Sequence, residues 1–214
     1  MKNKRSKIFL MMSFVILLTG CGENSKENYN NKSNIKVESN IYENKKDISK
    51  VESEKEEELY KVAYDLFFEN KYDEAIEKSN LLINEFPKSY KGYNIRGIAK
   101  AYNGNYEEGM KDIDKALDIQ PKYGYALFNK ALTYELYEKL DEAIEFYNKA
   151  LEVEKYVWSY YGIASCYGRR GDVENTIKYL SEAIKLDESI KNHAREEVDF
   201  DPVRSDSRFI KLIN

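Results

Sequence analysis

The fold class predicted by this sequence is all-α: a solenoid of about four stacked helix–turn–helix units closed by a C-terminal helical cap. Three observations predict it. Small residues recur at a 34-residue period, turn-forming residues and prolines punctuate that period at constant places, and the apolar residues between them keep helical spacing.

The chain opens with Lys2, Lys4, Arg5 and Lys7 and has no acidic residue before Cys21. The apolar run Ile8–Leu18 follows them, as in a secretory signal. As a helix that run would span roughly 16 Å against a hydrocarbon core of about 30 Å, too short for a membrane-crossing anchor. Leu18, Thr19, Gly20 and Cys21 resemble a bacterial lipobox. The resemblance implies that residues 1–20 are removed and that Cys21 is lipidated, placing the mature chain on the extracytoplasmic face of the cell membrane. With at least two acyl chains, at about 0.8 kcal/mol per buried CH₂, release would be negligible. The other reading is an ordinary secreted protein with Cys21 just past its cleavage site.

Loss of residues 1–20 removes four positive charges and no negative ones, taking the formal charge from −4 to −8. A chain this acidic is a poor partner for nucleic acid or an anionic lipid surface. The two cysteines are Cys21 and Cys166, so a lipidated Cys21 leaves no intrachain disulfide. Residues 21–55 are rich in Asn, Lys, Ser and Glu and are expected to be a disordered tether. Its end carries a helical spacing in Ile48, Val51, Leu59, Val62 and Leu66.

The repeat begins at residue 56. Ala63, Gly97, Ala131 and Ala164 share one register, Ala75, Gly109, Ala143 and Thr176 a second, and Leu82, Ala116, Ala150 and Ala183 a third. The first two steps are 34 residues and the last is 33, which predicts blocks 56–89, 90–123, 124–156 and 157–190 and a tighter turn near Val157. Pro87 and Pro121 end second helices. Asn70, Gly104 and Gly171 stand where a left-handed turn is wanted, with Glu138 in that place in block three. This pattern resembles the tetratricopeptide repeat, whose eighth, twentieth and twenty-seventh positions are small so that paired helices approach closely. Residues 191–214 resemble the tail that follows such repeats, with Val198, Phe200, Val203, Phe209, Leu212 and Ile213 expected to cover block four.

Nothing in the pattern suggests an enzyme, a cofactor or a metal site. The one histidine, His193, lies four residues from Glu197, and two ligands do not hold zinc. Single glycines form no phosphate loop, and Asp73–Glu74 and Asp141–Glu142 open second helices, where the dipole favours negative charge. Cys166 sits among small packing residues without a basic partner and reads as structural. Glu196–Asp199 spells the chaperone-tail motif EEVD, but internally and without a free carboxylate, as a coincidence would.

If the blocks stack as in that family, the first helices line a concave groove. The residues expected to point into it are Tyr60, Tyr64, Phe67 and Phe68; Asn94, Ile98 and Tyr102; Tyr125, Phe128, Leu132 and Leu136; and Trp158, Tyr161 and Arg169. Chaperone-binding members place lysine and asparagine where this chain has Tyr60 and Tyr64, so a terminal-carboxylate clamp is not expected. An apolar groove suits a peptide or protein with hydrophobic anchors. The alternatives are that these aromatics are interhelical core, that the tether residues Ile35, Val37, Ile41 and Tyr42 occupy the groove, or that the rings stack on glycan in envelope or carbohydrate processing.

Overall fold

The computed structural model describes the backbone of residues 34–214 and side chains from residue 51 onward. Cys21 and the segment before it lie outside the described residues. Four helix pairs follow one another: α1 (Asn34–Phe68) with α2 (Tyr72–Glu85), α3 (Tyr90–Tyr102) with α4 (Tyr106–Ile119), α5 (Gly124–Leu136) with α6 (Leu140–Val153), and α7 (Val157–Arg169) with α8 (Val173–Leu186). The chain then runs through α9 (Ile190–Glu196), a 3₁₀ helix (Val198–Val203) and α10 (Ser207–Ile213).

The pairs form because each contains one crossing where side chains are nearly absent. At Gly97 an added Cβ would stand 2.7 Å from the Gly109 carbonyl oxygen, and at Gly109 it would stand 2.7 Å from that of Gly97. Real Cβ atoms do not approach that closely, so α3 and α4 cross there backbone to backbone. Ala63, Ala75, Ala131, Ala143 and Ala164 hold the matching places in the other pairs and are fully buried.

Turn chemistry sets the helix lengths. Asn70, Gly104, Glu138 and Gly171 all adopt positive φ, at 61°, 94°, 64° and 72°. Glu138 thus takes the left-handed turn without being glycine or asparagine. Ser89, Asn105 and Asp172 cap α3, α4 and α8 by accepting backbone N–H bonds from Gly92, Glu108 and Asn175. Pro87 and Pro121 fall just past α2 and α4. The missing residue of the last repeat comes out of the linker before α7: residues 154–156 join α6 to α7, whereas 86–89 and 120–123 join the earlier pairs.

The tether expectation is corrected at its end. Helix α1 starts at Asn34, inside the stretch expected to be disordered, and runs without a break into block one. No Gly or Pro interrupts residues 34–68, and Glu and Lys there favour helix. Among its described side chains, Val51 and Val62 are 62% and 41% exposed, whereas Ala63 and Phe67 are buried in block one.

The core falls into two clusters. Phe67, Ile95 and Ile98 hold the first two pairs; Phe128, Tyr147, Tyr161, Ile163 and Leu180 hold the last two with the cap; Leu132 touches both. Phe200, Val203, Phe209 and Ile213 are buried as expected of a cap, while Val198 points outward at 47% exposure. The 3₁₀ helix lies on α7, and α10 on α8 and α9.

Candidate functional site

The first helices α1, α3, α5 and α7 pack on one another in sequence. Tyr64 of α1 nevertheless reaches past α3 to Tyr125 of α5, with ring centroids 6.4 Å apart. A contact that skips a repeat requires the first-helix face to be concave.

That face is paved with rings. Tyr64 packs on Tyr60 at 5.8 Å and on Phe68 at 4.4 Å, Tyr125 stacks along Phe128 at 6.2 Å, and Tyr123 meets Tyr90 edge-on at 4.7 Å. The hydroxyls of Tyr60 and Tyr123 interact, as do those of Tyr64 and Tyr125. Burial, reinforced by the neighbouring phenols, pushes the Tyr60 and Tyr125 hydroxyls well above the usual tyrosine range, and burial raises Tyr123 too. These groups stay neutral at physiological pH. The rings themselves make an uncharged, mostly apolar surface edged with hydroxyls and, beside Tyr60, with the Lys91–Glu57 ion pair.

Of the expected groove residues, Tyr60, Tyr64, Phe68, Tyr102, Tyr125, Leu132 and Leu136 are partly exposed. The expectation is corrected at six others: Phe67, Asn94, Ile98, Phe128, Trp158 and Tyr161 are each 6% exposed or less. Phe67 turns into the first core cluster, edge-on to Phe68 and Tyr102. Asn94 accepts a hydrogen bond from the Asn129 amide at 3.1 Å beneath the aromatic layer. Trp158 and Tyr161 are covered by the protein's own C-terminal segment: His193 stands edge-on to Trp158 at 5.2 Å and Phe200 edge-on to Tyr161 at 5.6 Å. Arg169 is tied to Glu138 and lies 3.8 Å from the Asp199 carboxylate. The inner face is therefore self-occupied at block four, by the cap. The side chains of Ile35, Val37, Ile41 and Tyr42 lie outside those described.

Sequence reasoning missed Tyr90, Tyr123 and Tyr156, which sit at block boundaries and complete the paving. It also missed Glu135. This side chain is 7% exposed, accepts a hydrogen bond from Tyr147 Oη at 2.6 Å and lies in hydrogen-bond contact with Ser165 Oγ at 2.7 Å. Burial pushes its pKa up to about 7, against the lowering effect of those two hydroxyls. A signal for it exists: Glu135 occupies the register of Phe67, Ala101 and Gly168, the one charge among apolar or small residues. Burial likewise raises the Cys166 thiol, in keeping with a structural role.

Among the described residues no group of three His, Cys, Asp or Glu is placed to hold a metal ion, and no helix is long and apolar enough to cross a membrane.

A stack of helix pairs with a concave first-helix face is an α-solenoid. Residues 90–123 and 159–190 match one tetratricopeptide-repeat model and residues 124–155 another, so the fold is a tetratricopeptide-type α-solenoid. It is similar to Hsp70-Hsp90 organizing protein 2 of Arabidopsis thaliana, 30% identical over 88 residues, which are 41% of this chain and 15% of that protein. It is 25% identical over 133 residues to the mitochondrial import receptor subunit TOM70 of Mus musculus, covering 61% of this chain and 22% of the receptor. The chain thus spans under a quarter of the length of either relative. A thermophilic TPR protein of Thermus thermophilus shares the fold with a TM-score of 0.58 at 20% identity, over 72% of this chain and 81% of that one.

Proposed function

We propose that this chain is a non-catalytic scaffold that holds a peptide or protein partner on the concave face of blocks one to three, and that it does so from a lipid anchor at Cys21 on the extracytoplasmic side of a membrane. The observation that carries the binding reading is the partly exposed layer of Tyr60, Tyr64, Phe68, Tyr125 and Leu132, held by packing from beneath. Rigid aromatics that lose little entropy on contact are what a peptide anchor needs. Glycan stacking is the weaker reading, because the rings tilt against one another at 42° to 53° and leave few open faces. The anchor reading rests on the basic, apolar and small-residue order of residues 2–21. Tethering would confine the groove to a thin layer and raise its effective concentration toward membrane partners.

The test places a photo-crosslinking aromatic at Tyr64 in the full chain, in its own cells, with the outer-face Lys149 as control. A protein captured from Tyr64 and not from Lys149, and lost from the membrane fraction in Cys21→Ser, is the expected result. Equal capture at both sites, or recovery of glycan alone, defeats the binding reading; unchanged membrane association of Cys21→Ser defeats the anchor.

A further inference from the structure

The contact between the cap and block four contains one hydroxyl hydrogen too few. Ser165 Oγ lies 2.7 Å from Glu135 Oε1 and 2.7 Å from Asp199 Oδ2, and a serine hydroxyl carries one hydrogen. It can donate to only one of the two. The other contact at that distance is a hydrogen bond only if the second carboxyl brings its own proton and donates to Oγ.

The surroundings say which carboxyl holds that proton. Asp199, on the 3₁₀ helix, has the Arg169 guanidinium of α7 at 3.8 Å and is the more exposed of the two. Glu135, on α5, is enclosed by Tyr147 of α6 and by Ser165 and Cys166 of α7, while Arg169 is shared with Glu138 and reaches only the Glu135 backbone carbonyl, at 3.4 Å. Tyr161 of α7 and Glu197, which caps the 3₁₀ helix, bear on one another and on Asp199, Arg204 bears on both, Arg170 bears on Cys166, and from α3 Tyr102 bears on Tyr147. Of these cations, Arg169 is the one that bears on Glu135 itself, and weakly. The proton therefore belongs on Glu135, and the chain of donors runs from Glu135 to Ser165 to Asp199.

We propose that Glu135, Ser165 and Asp199 form a proton-dependent latch that holds the 3₁₀ segment 198–203 on the inner face of block four and releases it when the shared proton is lost. With Glu135 ionised, Ser165 satisfies one carboxylate and leaves two anions facing each other across its oxygen, in a site with little water to screen them. The segment carrying Asp199 is the part free to move, since Glu135, in the last turn of α5, is held by Tyr147 of α6 and by the packing of α5 on α6 and α7. Its departure uncovers Tyr161 and the Gly168 backbone and lengthens the open part of the concave face by one block. The raised pKa of Glu135 agrees with the geometry. An acid whose folded pKa is raised stabilises the closed form fully below its free value and loses that contribution as pH rises through the folded value. The window therefore runs from about 4.5 to about 7. The latch is independent of whether the groove takes a peptide.

The experiment is amide hydrogen exchange on the full chain at pH 5.5 and 8.5, corrected for intrinsic exchange, comparing residues 198–203 with α3 as internal reference. In the wild type, opening of 198–203 relative to α3 should rise by up to about thirtyfold, the limit set by linkage if opening returned Glu135 fully from its folded to its free value. Glu135→Gln, which keeps the shape and cannot ionise, should change less than about twofold over the same interval. Asp199→Asn, in a more exposed residue, removes the second anion and should shrink the rise. A flat wild type, or a Glu135→Gln rise equal to the wild type, overturns the latch. Should Glu135→Gln fail to fold, a wild-type-sized rise in Asp199→Asn overturns it equally.

Discussion

Replacing Phe200 by alanine tests whether the cap is an energetic part of the repeat stack. Phe200 is fully buried, edge-on to Tyr161 at 5.6 Å and tilted against Phe209 at 5.5 Å. Its Cδ1 would lie 2.6 Å from a Cβ at Gly168, so the ring rests on bare helix backbone. Truncating a buried phenylalanine costs about 3–5 kcal/mol, of which each aromatic edge contributes roughly 1 kcal/mol. In a globular domain that loss would spread over one cooperative transition. In a solenoid, where each repeat is stabilised mainly by its neighbours, it should fall on block four and leave block one nearly untouched. The single tryptophan, Trp158, lies in block four beneath the cap and makes the distinction measurable. In urea, Trp158 fluorescence should report unfolding well ahead of far-ultraviolet circular dichroism, with a loss of about 3 kcal/mol seen by fluorescence. Coincident transitions displaced by the same amount would mean that the stack unfolds as one unit. A displacement under about 1 kcal/mol would mean that Phe200 is not the anchor of the cap.

Two further outcomes follow from local chemistry. Glu138 holds φ 64° without being glycine, so Glu138→Gly should relieve about 1–2 kcal/mol of left-handed strain, less roughly 0.5–1 kcal/mol of added unfolded-state freedom. The exposed pairing with Arg169 that it loses is worth little, and thermal denaturation should shift upward by about 2 °C; a downward shift would show the ion pair to outweigh the backbone. Tyr60, Tyr123 and Tyr125 are raised in the folded state, so their contribution to stability is complete below the free phenol value of about 10 and is lost as pH rises above it. Ultraviolet titration should show a fraction of the nineteen tyrosines ionising only as helicity is lost, and complete ionisation near pH 10 with helicity intact would contradict the packing of the inner face.

The repeats were legible in the sequence because close helix crossings constrain backbone distance, and only small side chains permit it. Gly97 and Gly109 show why: their register could be read because no larger residue fits there. The turns were legible for the same kind of reason, and even Glu138, a poor turn residue by type, adopts the conformation that its position demands. Which inner-face residues stay uncovered was not legible. Register places a residue on a helix face, but the cover over Trp158 and Tyr161 arrives from His193 and Phe200, some thirty to forty positions away in the chain. The start of α1 was missed because a polar Glu- and Lys-rich segment satisfies the composition of a tether and the propensity of a helix alike. Glu135 was legible in principle, as a charge at a packing position, yet its two hydrogen-bond partners come from α6 and α7, with Asp199 of the 3₁₀ helix behind Ser165, and none of them is marked in the sequence.

The asymmetry of the inner face bears on what a partner must look like. On the proposed reading, the open part runs across α1, α3 and α5, and neighbouring packed helices lie about 10 Å apart. The open span is thus roughly 20 Å, the reach of about six residues in extended form at about 3.3 Å each. A partner confined to that span meets Tyr60 and Tyr64 at one edge and Tyr125 and Leu132 toward the other, with neutral hydroxyls in between. The cation beside that face, Lys91 at 5.4 Å over the Tyr60 ring, is already paired with Glu57, so an anchor of apolar side chains fits better than a terminal carboxylate. A longer partner must displace the 3₁₀ segment and expose Phe200, which is fully buried. That cost is several times RT, so release of the cap, and not affinity at block four itself, would decide whether the fourth repeat takes part in binding.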